Sequence, residues 1–326
     1  SNNVAAAALS AANTVANITF TGGTNTFSAA STLANDGTLT FGDATADSFT
    51  FNGGLTTSAV AGTVTLNTSI SSSDDALTFG AITLGNNVAL DTNATATNTA
   101  DLTIAAVTGG NNALTLSTAD NIANADITAS GNISGVTTLT LSDVGGTATL
   151  AGDVDVTTLT VGNTVANVAL NGDGSTITNA VSFANDGTLQ LADSTSDTLT
   201  FNGGLTTTSV GGTVTINGTI NASDDAITLG AVTLASATTV DTNATSTAGD
   251  ITIAAITGGS QNLTLSTGNN IAGADITASG AISALGNLTL SDVGGTATFS
   301  NNIAAAALSA DNTVANISFT GSTNTY

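Results

Sequence analysis

The sequence predicts an all-β fold, namely a right-handed parallel β-solenoid (β-helix) with about 25 residues per coil and roughly 13 coils. Three observations lead to this prediction. The chain repeats itself at a long period, short segments alternate polar and apolar residues, and Asn, Gly, Asp and Ser separate these segments. Such a pattern is typical of stacked coils in which each strand buries one side.

The long repeat covers about 150 residues. The segment FNGGLTTSAVAGTVTLN at 51–67 returns as FNGGLTTTSVGGTVTIN at 201–217. The opening segment 1–27 returns at 300–326 with few differences, and a more distant relative begins at residue 151. We therefore expect one continuous solenoid made of a first superrepeat, a second superrepeat and the start of a third, at 1–150, 151–299 and 300–326.

A short repeat lies inside each superrepeat. Strand-like segments such as TLTF (38–41), TVTL (63–66) and NVAL (87–90) recur with a mean step of about 25 residues. In TLTF, Leu39 and Phe41 point to one side and the two threonines to the other. A second series and a weaker third series, which includes AITL at 81–84, leave open whether each coil has two or three strands.

The segment AAAAL at 5–9 has conflicting local signals. Its alanines favour a helix by propensity. The corresponding segment of the middle copy, DVTTL at 155–159, favours a strand. Because related repeats share a backbone conformation, we expect both segments to be extended.

The composition excludes much chemistry. The chain has no Lys, Arg, His, Cys, Met, Trp or Pro, and its net charge is −23. Without these residues there is no imidazole base, no thiolate and no lysine nucleophile. Phosphate neutralisation is also impossible, and an anionic membrane would repel the chain. The longest apolar run, Val4 to Leu9, is too short to cross a bilayer. We therefore expect no enzyme activity, no nucleic-acid partner and no membrane insertion.

Two pairs of adjacent carboxylates are the only catalytic candidates. Asp74–Asp75 and Asp224–Asp225 have the residue type that glycoside hydrolysis uses. The preferred interpretation is a solvated turn, because a sugar site usually needs aromatic platforms and the chain has no Trp and one Tyr. No catalytic, cofactor-binding or metal-ligating residue is therefore assigned. No calcium-loop motif matches either, so we expect at most a weak, diffuse association of Ca²⁺ with the aspartates.

Two further patterns have an ordinary and a functional interpretation. Outward Thr-x-Thr pairs at Thr38/Thr40, Thr63/Thr65 and Thr138/Thr140 resemble ice-binding faces, but threonine is also common on exposed strands. Asn-x-Ser/Thr sequons are interpreted as stacked asparagine ladders, with glycosylation as the alternative. They begin at Asn17, Asn67, Asn93, Asn132, Asn217, Asn221, Asn243, Asn262, Asn287 and Asn316.

The arrays NTVANITFTGG (13–23) and GGTVTINGTI (211–220) resemble repetitive regions of bacterial surface proteins: autotransporter passengers, filamentous-haemagglutinin-like adhesins and repetitive surface-layer proteins. The resemblance implies an extracellular or cell-surface location and a role in adhesion or in fibre formation.

The expected function is a non-enzymatic structural segment of a long secreted fibre or cell-surface filament. Its partner would be the protein itself, end-to-end or laterally. The alternative is the stalk of an autotransporter-type adhesin that binds a surface or glycan ligand through another region. The chain has no initiator Met and no signal peptide, so we expect it to be cut from a longer array.

Overall fold

The computed structural model describes residues 3–95, 100–119 and 122–326, which form a parallel β-solenoid of about 14 turns. These residues are 54% strand, and none of them lies in a helix. They therefore include no helix that could span a membrane. The predicted parallel β-solenoid is confirmed, whereas its right-handed sense and the three superrepeats as domains stay predictions.

The chain divides into two compact units, Ser1–Val168 and Ala169–Tyr326. The first unit contains the strands β1 (Ala5–Ala6), β2 (Ser10–Ala11), β3 (Ile18–Phe20), β4 (Thr24–Phe27), β5 (Ser31–Leu33), β6 (Leu39–Phe41), β7 (Ser48–Phe51), β8 (Leu55–Thr56), β9 (Val64–Leu66), β10 (Ser69–Ser72), β11 (Leu77–Leu84), β12 (Val88–Asp91), β13 (Leu102–Thr108), β14 (Leu114–Ser117), β15 (Ile127–Ala129), β16 (Ile133–Ser142), β17 (Val144–Leu150) and β18 (Val154–Val161). Strand β19 (Val165–Leu170) includes the boundary residues.

The second unit contains fourteen further strands among its described residues. They are β20 (Thr176–Ile177), β21 (Val181–Ser182), β22 (Leu189–Leu191), β23 (Thr198–Phe201), β24 (Leu205–Thr206), β25 (Val214–Ala222), β26 (Ile227–Ala244), β27 (Ile251–Thr257), β28 (Leu263–Gly268), β29 (Ile276–Ala278), β30 (Ile282–Ser291), β31 (Thr296–Phe299), β32 (Ile303–Ala310) and β33 (Asn316–Phe319).

Each coil of the first unit has three strand segments, which answers the question that the sequence left open. The first face consists of β1, β4, β7, β10, β12, β14 and the C-terminal parts of β16 and β18. The second face contains β2, β5, β8, β15, β17 and the N-terminal parts of β11 and β13. The third face contains β3, β6, β9, the C-terminal parts of β11 and β13, and the N-terminal parts of β16 and β18.

The second unit has the same construction. Its first face contains β20, β23, β28 and the C-terminal parts of β25, β26, β30 and β32. Its second face contains β21, β24, β29, β31, β33 and the N-terminal parts of β26 and β27. Its third face contains β22, the N-terminal parts of β25, β30 and β32, the middle of β26 and the C-terminal part of β27.

The coils are about 22 residues apart, closer than the spacing that the sequence predicted. The expected series linked TVTL at 63–66 to NVAL at 87–90, but these segments lie on different faces. The partner of β9 on its own face is the C-terminal part of β11, where Thr65 already pairs with Thr83. Elsewhere on the third face the step along the chain is longer, as from Val107 to Ile133. Loops of different length therefore separate strands that keep their register.

The second copy of the opening motif begins one face away from the first copy. Strand β1 lies on the first face of the first unit, whereas the N-terminal part of β18 pairs with β16 on the third face. The 17 strands before β18 supply 20 face segments, because β11, β13 and β16 each turn a corner and contribute to two faces. One superrepeat is thus about 6⅔ turns, which explains the shorter coil.

The core follows from the period-two alternation of each short strand. In β6, Leu39 and Phe41 are buried, and Thr40 between them is half-buried on the outer side. The ring of Phe41 stacks on Phe20 with centroids 5.5 Å apart and meets Phe49 edge-on at 5.2 Å. Because parallel strands are in register, like side chains stack along the interior and exclude water.

The alanine-rich segment is a strand throughout in the closing copy and only in part in the opening copy. The closing residues lie in β32, whereas in the opening copy Ala5–Ala6 form β1 and Ala7–Leu9 lie outside any strand. The middle copy, 155–159, lies in β18. The prediction of a strand is therefore confirmed for the middle and closing copies and for Ala5–Ala6, and strand pairing outweighs the helix propensity of these alanines.

Replacing Phe41 with Ala tests the stacked core. We expect Phe41→Ala to lower the free energy of unfolding by about 3–5 kcal/mol, because the ring leaves a cavity that its packed neighbours cannot fill. The matched control Thr40→Ala changes an outward residue of the same strand and should stay within about 0.5 kcal/mol. Urea unfolding followed by circular dichroism measures both variants, and equal losses would contradict a core role for Phe41.

Candidate functional site

The two predicted aspartate pairs lie in tight turns, as the ordinary interpretation expected. Asp74 and Asp224 both adopt the left-handed conformation with φ of 66°. The carboxylate of Asp224 accepts hydrogen bonds from the backbone N–H groups of Thr245, Ser246 (2.8 Å) and Thr247 (3.3 Å). The Thr245 hydroxyl also donates to it, at 2.7 Å. Asp224 thus anchors the loop that follows one coil later on the chain.

The hydrogen bonds to Asp224 keep its carboxylate ionised and attach it to the loop at Thr245–Thr247. Hydrogen bonds to the carboxylate hold the pKa of Asp224 well below its usual value of 3.8. The bond from the backbone N–H of Thr245 lowers the pKa most, and those from the N–H of Ser246 and the hydroxyl of Thr245 follow. A carboxyl group with a lowered pKa is a poor proton donor near neutral pH. Asp74 holds Thr95 in the first unit through the same pair of atoms, and residues 96–99 lie outside the described residues.

Two other carboxylate pairs were missed by the sequence reasoning. Asp47 accepts hydrogen bonds from the backbone N–H groups of Asp43 (2.9 Å) and Ala44 (3.1 Å), and the first of these bonds dominates the lowering of its pKa. Asp197 is buried and accepts the corresponding bonds from Asp193 and Ser194. The repeated spacing Asp-x-x-x-Asp in GDATAD and ADSTSD is the signal that could have identified them.

Asp193 lies beside Asp197 in the turn of the second unit. Burial, together with the hydrogen bond and the charge of Asp197, raises the pKa of Asp193 above 3.8. A carboxyl group with a raised pKa beside a second carboxyl group is a feature of acid–base sites. Here, however, Asp197 is engaged by the backbone of its own turn, so its role is to close that turn.

Asparagine and aspartate side chains connect successive coils. Their Oδ1 atoms accept a backbone N–H from the next coil, and the donor lies just before a strand, as at Thr38 and Asp153, or within one, as at Thr147. We call these contacts inter-coil staples. They include Asn17 to Thr38 (2.8 Å), Asn132 to Asp153 (3.0 Å), Asn262 to Asn287 (2.8 Å), Asp101 to Asp126 (3.0 Å), Asp126 to Thr147 (2.7 Å), Asp250 to Asp275 (2.9 Å) and Asp275 to Thr296 (2.6 Å).

The inter-coil staples refine the interpretation of the sequons. Asn262 accepts the backbone N–H of Asn287, just as Asn17 accepts that of Thr38 and Asn132 that of Asp153. A ladder of stacked asparagine side chains stays a prediction. An asparagine in this position satisfies a backbone donor that would otherwise lack a partner. These sequon residues therefore have a structural role in the described coils.

The Thr-x-Thr pairs do not lie on one surface of the first unit. Thr38/Thr40 and Thr63/Thr65 are neighbours on the third face, whereas Thr138/Thr140 lie on the first face. A shallow groove of about 360 Å³ crosses the third face and is lined by Gly62, Thr63, Ala81, Ile82, Thr83 and others. The second unit has an equivalent groove of about 230 Å³ on its own third face.

The described carboxylates form no cluster of three or more that could hold a metal ion. The diffuse association of Ca²⁺ with single aspartates stays a prediction. No family model, curated protein or solved structure matches this chain. The likeness to repetitive solenoid proteins therefore rests on the β-solenoid fold itself.

The inter-coil staples can be tested at Asp126, whose Oδ1 accepts a hydrogen bond from the backbone N–H of Thr147. The chain has no Lys, Arg or His that could form an ion pair with Asp126. We expect Asp126→Ala to lower the free energy of unfolding by roughly 1–2 kcal/mol, because the N–H of Thr147 loses its acceptor. Asp126→Asn keeps an Oδ1 atom and should lose less than half of that. Urea unfolding compares the variants, and an asparagine variant as unstable as the alanine variant would contradict the role of Oδ1.

The Asp224 anchor predicts a pH dependence. Its folded pKa lies below the unfolded value of 3.8, so its stabilisation is present above that pH and is lost as the pH falls through the folded pKa. We expect Asp224→Asn to reduce the hydrogen-exchange protection of Thr245–Thr247 at pH 6, and the difference from the parent chain to shrink towards pH 2. The control Asp225→Asn removes the same charge from the adjacent residue. Equal effects of both variants would contradict the anchor.

Proposed function

We propose that this chain is a non-enzymatic structural segment of a long secreted bacterial fibre or cell-surface filament built from stacked β-solenoid repeats. The observation that carries the proposal is the way in which a new superrepeat docks on the preceding one. In the first unit, Ile133 pairs with Val154 at the start of the second superrepeat. In the second unit, the equivalent Ile282 pairs with Ile303 at the start of the third.

The repeated junction supports open-ended growth. The next pairs also correspond, since Leu139 meets Leu159 in one unit and Leu288 meets Leu308 in the other. Each coil bonds only to the coil before it and the coil after it within its unit, which is the arrangement of quasi-one-dimensional repeat proteins. Superrepeats can therefore be added without a change in the contacts that hold them.

The composition supports a durable extracellular role. The chain offers no Lys or Arg to trypsin-like proteases and no sulfur to oxidants. Its core is formed by aliphatic and phenylalanine side chains that stack along the coils. The large negative charge keeps single chains apart in solution. These properties suit a material that stays outside the cell.

Chains with two, three and four superrepeats test the proposal. With about 6⅔ turns per superrepeat and roughly 4.8 Å per turn, each added superrepeat should lengthen the particle by about 32 Å. Electron microscopy measures the contour length. Particles that become wider without growing longer would contradict the proposal.

The location is tested on native cells with antibodies against this chain. A filament segment predicts gold labelling along extracellular fibres or over the cell surface. Labelling confined to the cell interior would contradict the proposal. Labelled stalks that project singly and end in a distinct head would favour the adhesin stalk instead.

A further inference from the structure

We propose that the third face of each unit is a lateral contact surface for a second copy of this chain. The proposal deepens the fibre function above and rests on it, because it names the surface through which neighbouring solenoids associate. It follows from the distribution of the aspartates, which are absent from successive rungs of the third face and present on the other two faces.

Four successive rungs of the third face in the first unit contain no charged residue, including the turns that flank them. These rungs define the neutral face of the first unit. They consist of residues 61–68, 80–88, 105–112 and 130–136. Their outward positions are Thr65, Thr83, Thr108 and Ser134, which are in register on paired strands.

The same surface recurs in the second unit. Its neutral face consists of residues 211–218, 230–237, 254–262 and 279–287, again without an aspartate. Thr215, Thr233, Thr257 and Ser283 form the outward column there.

The other faces carry carboxylates at the corresponding heights. In the first unit, Asp101 and Asp126 stand at the start of second-face strands, and Asp91 lies within the first face. The chain has 23 negative charges and no positive one, so two copies repel each other wherever carboxylates meet. Charge therefore restricts close approach between copies to the neutral faces.

The neutral faces also have a shape that can receive another surface. The groove of the first unit lies over rungs 61–68, 80–88 and 105–112, and its equivalent in the second unit shares six of its seven lining positions. Gly62 lines it together with the alanines Ala61 and Ala81. Small residues thus keep a depression between threonine rows that methyl groups of a second copy can enter.

The size of the neutral face predicts weak pairwise contact. Four rungs at about 4.8 Å spacing, each with a strand length of roughly 10 Å, give a surface of about 200 Å² per copy. A stable dimer usually buries about 800 Å² per partner. A single contact is therefore transient, whereas long arrays gain strength from many contacts in parallel.

Disulfide trapping suits a transient contact, and the chain has no native cysteine to interfere. Thr83→Cys places one thiol on the neutral face. Thr78→Cys is the matched control, because Thr78 lies outward in the same strand β11 but on the second face, between Thr56 and Thr103. Thr233→Cys and Thr228→Cys repeat the comparison in the second unit. Each variant is oxidised with oxidised glutathione at about 0.15 M ionic strength, where a Debye length of about 8 Å leaves the repulsion between carboxylate-bearing faces in place.

We expect disulfide-linked dimers to form at least tenfold faster with Thr83→Cys than with Thr78→Cys, as measured on non-reducing gels. Equal rates, or a faster reaction of Thr78→Cys, would overturn the proposal. Equal rates together with thermal hysteresis that Thr83→Asp abolishes would overturn it in favour of ice as the occupant. Because trapping does not depend on contour length, a negative result leaves the fibre proposal standing, and a failure to elongate leaves the lateral contact standing.

Discussion

Backbone hydrogen bonding between successive coils is the constraint on which the rest of this structure depends. The N–H of Ile18 donates to the carbonyl oxygen of Thr38, and the N–H of Leu39 donates to that of Thr63, both at 2.9 Å. Every strand between its neighbours must supply donors and acceptors on both sides, a condition that proline cannot meet and that this proline-free chain satisfies. The ladder fixes the register, the register brings like residues into columns, and the columns become the core inside and the threonine rows outside.

The ladder leaves the turns free to vary, and this freedom explains the irregular coil length. The short step from Thr65 to Thr83 and the longer step from Val107 to Ile133 both occur on the third face of the first unit without loss of register. The polar side chains at the corners compensate for the variation. Asn and Asp accept backbone N–H groups at or near the start of several strands, and Asp224 binds the loop that follows one coil later. Many of the described aspartates thus bind backbone N–H groups, which helps an acidic chain without a single basic residue to remain ordered.

The sequence correctly predicted the alternation within single strands, but it could not show which strand segments share a face. Alternation in TLTF placed Leu39 and Phe41 inside correctly, and the copy at 155–159 correctly overruled the helix propensity of the alanines. The predicted coil spacing was wrong because TVTL and NVAL look alike yet lie on different faces. The segment that pairs with TVTL is AITL, which follows Leu77–Phe79 within the same strand β11. No cluster of turn residues marks the corner between these two parts of β11. The Asp224 anchor was out of reach because its partners lie one coil further along the chain.

The ratio of segments to faces has a consequence for longer arrays. Twenty segments are not a multiple of three, so the opening motif starts on the first face of the first unit and its next copy starts on the third. A superrepeat of 21 segments would return each motif to the same face and collect every neutral rung on one side. With 20 segments, the second copy of the motif in the first unit starts one face away from the first copy, so the ladder joins strands of different motifs without loss of register.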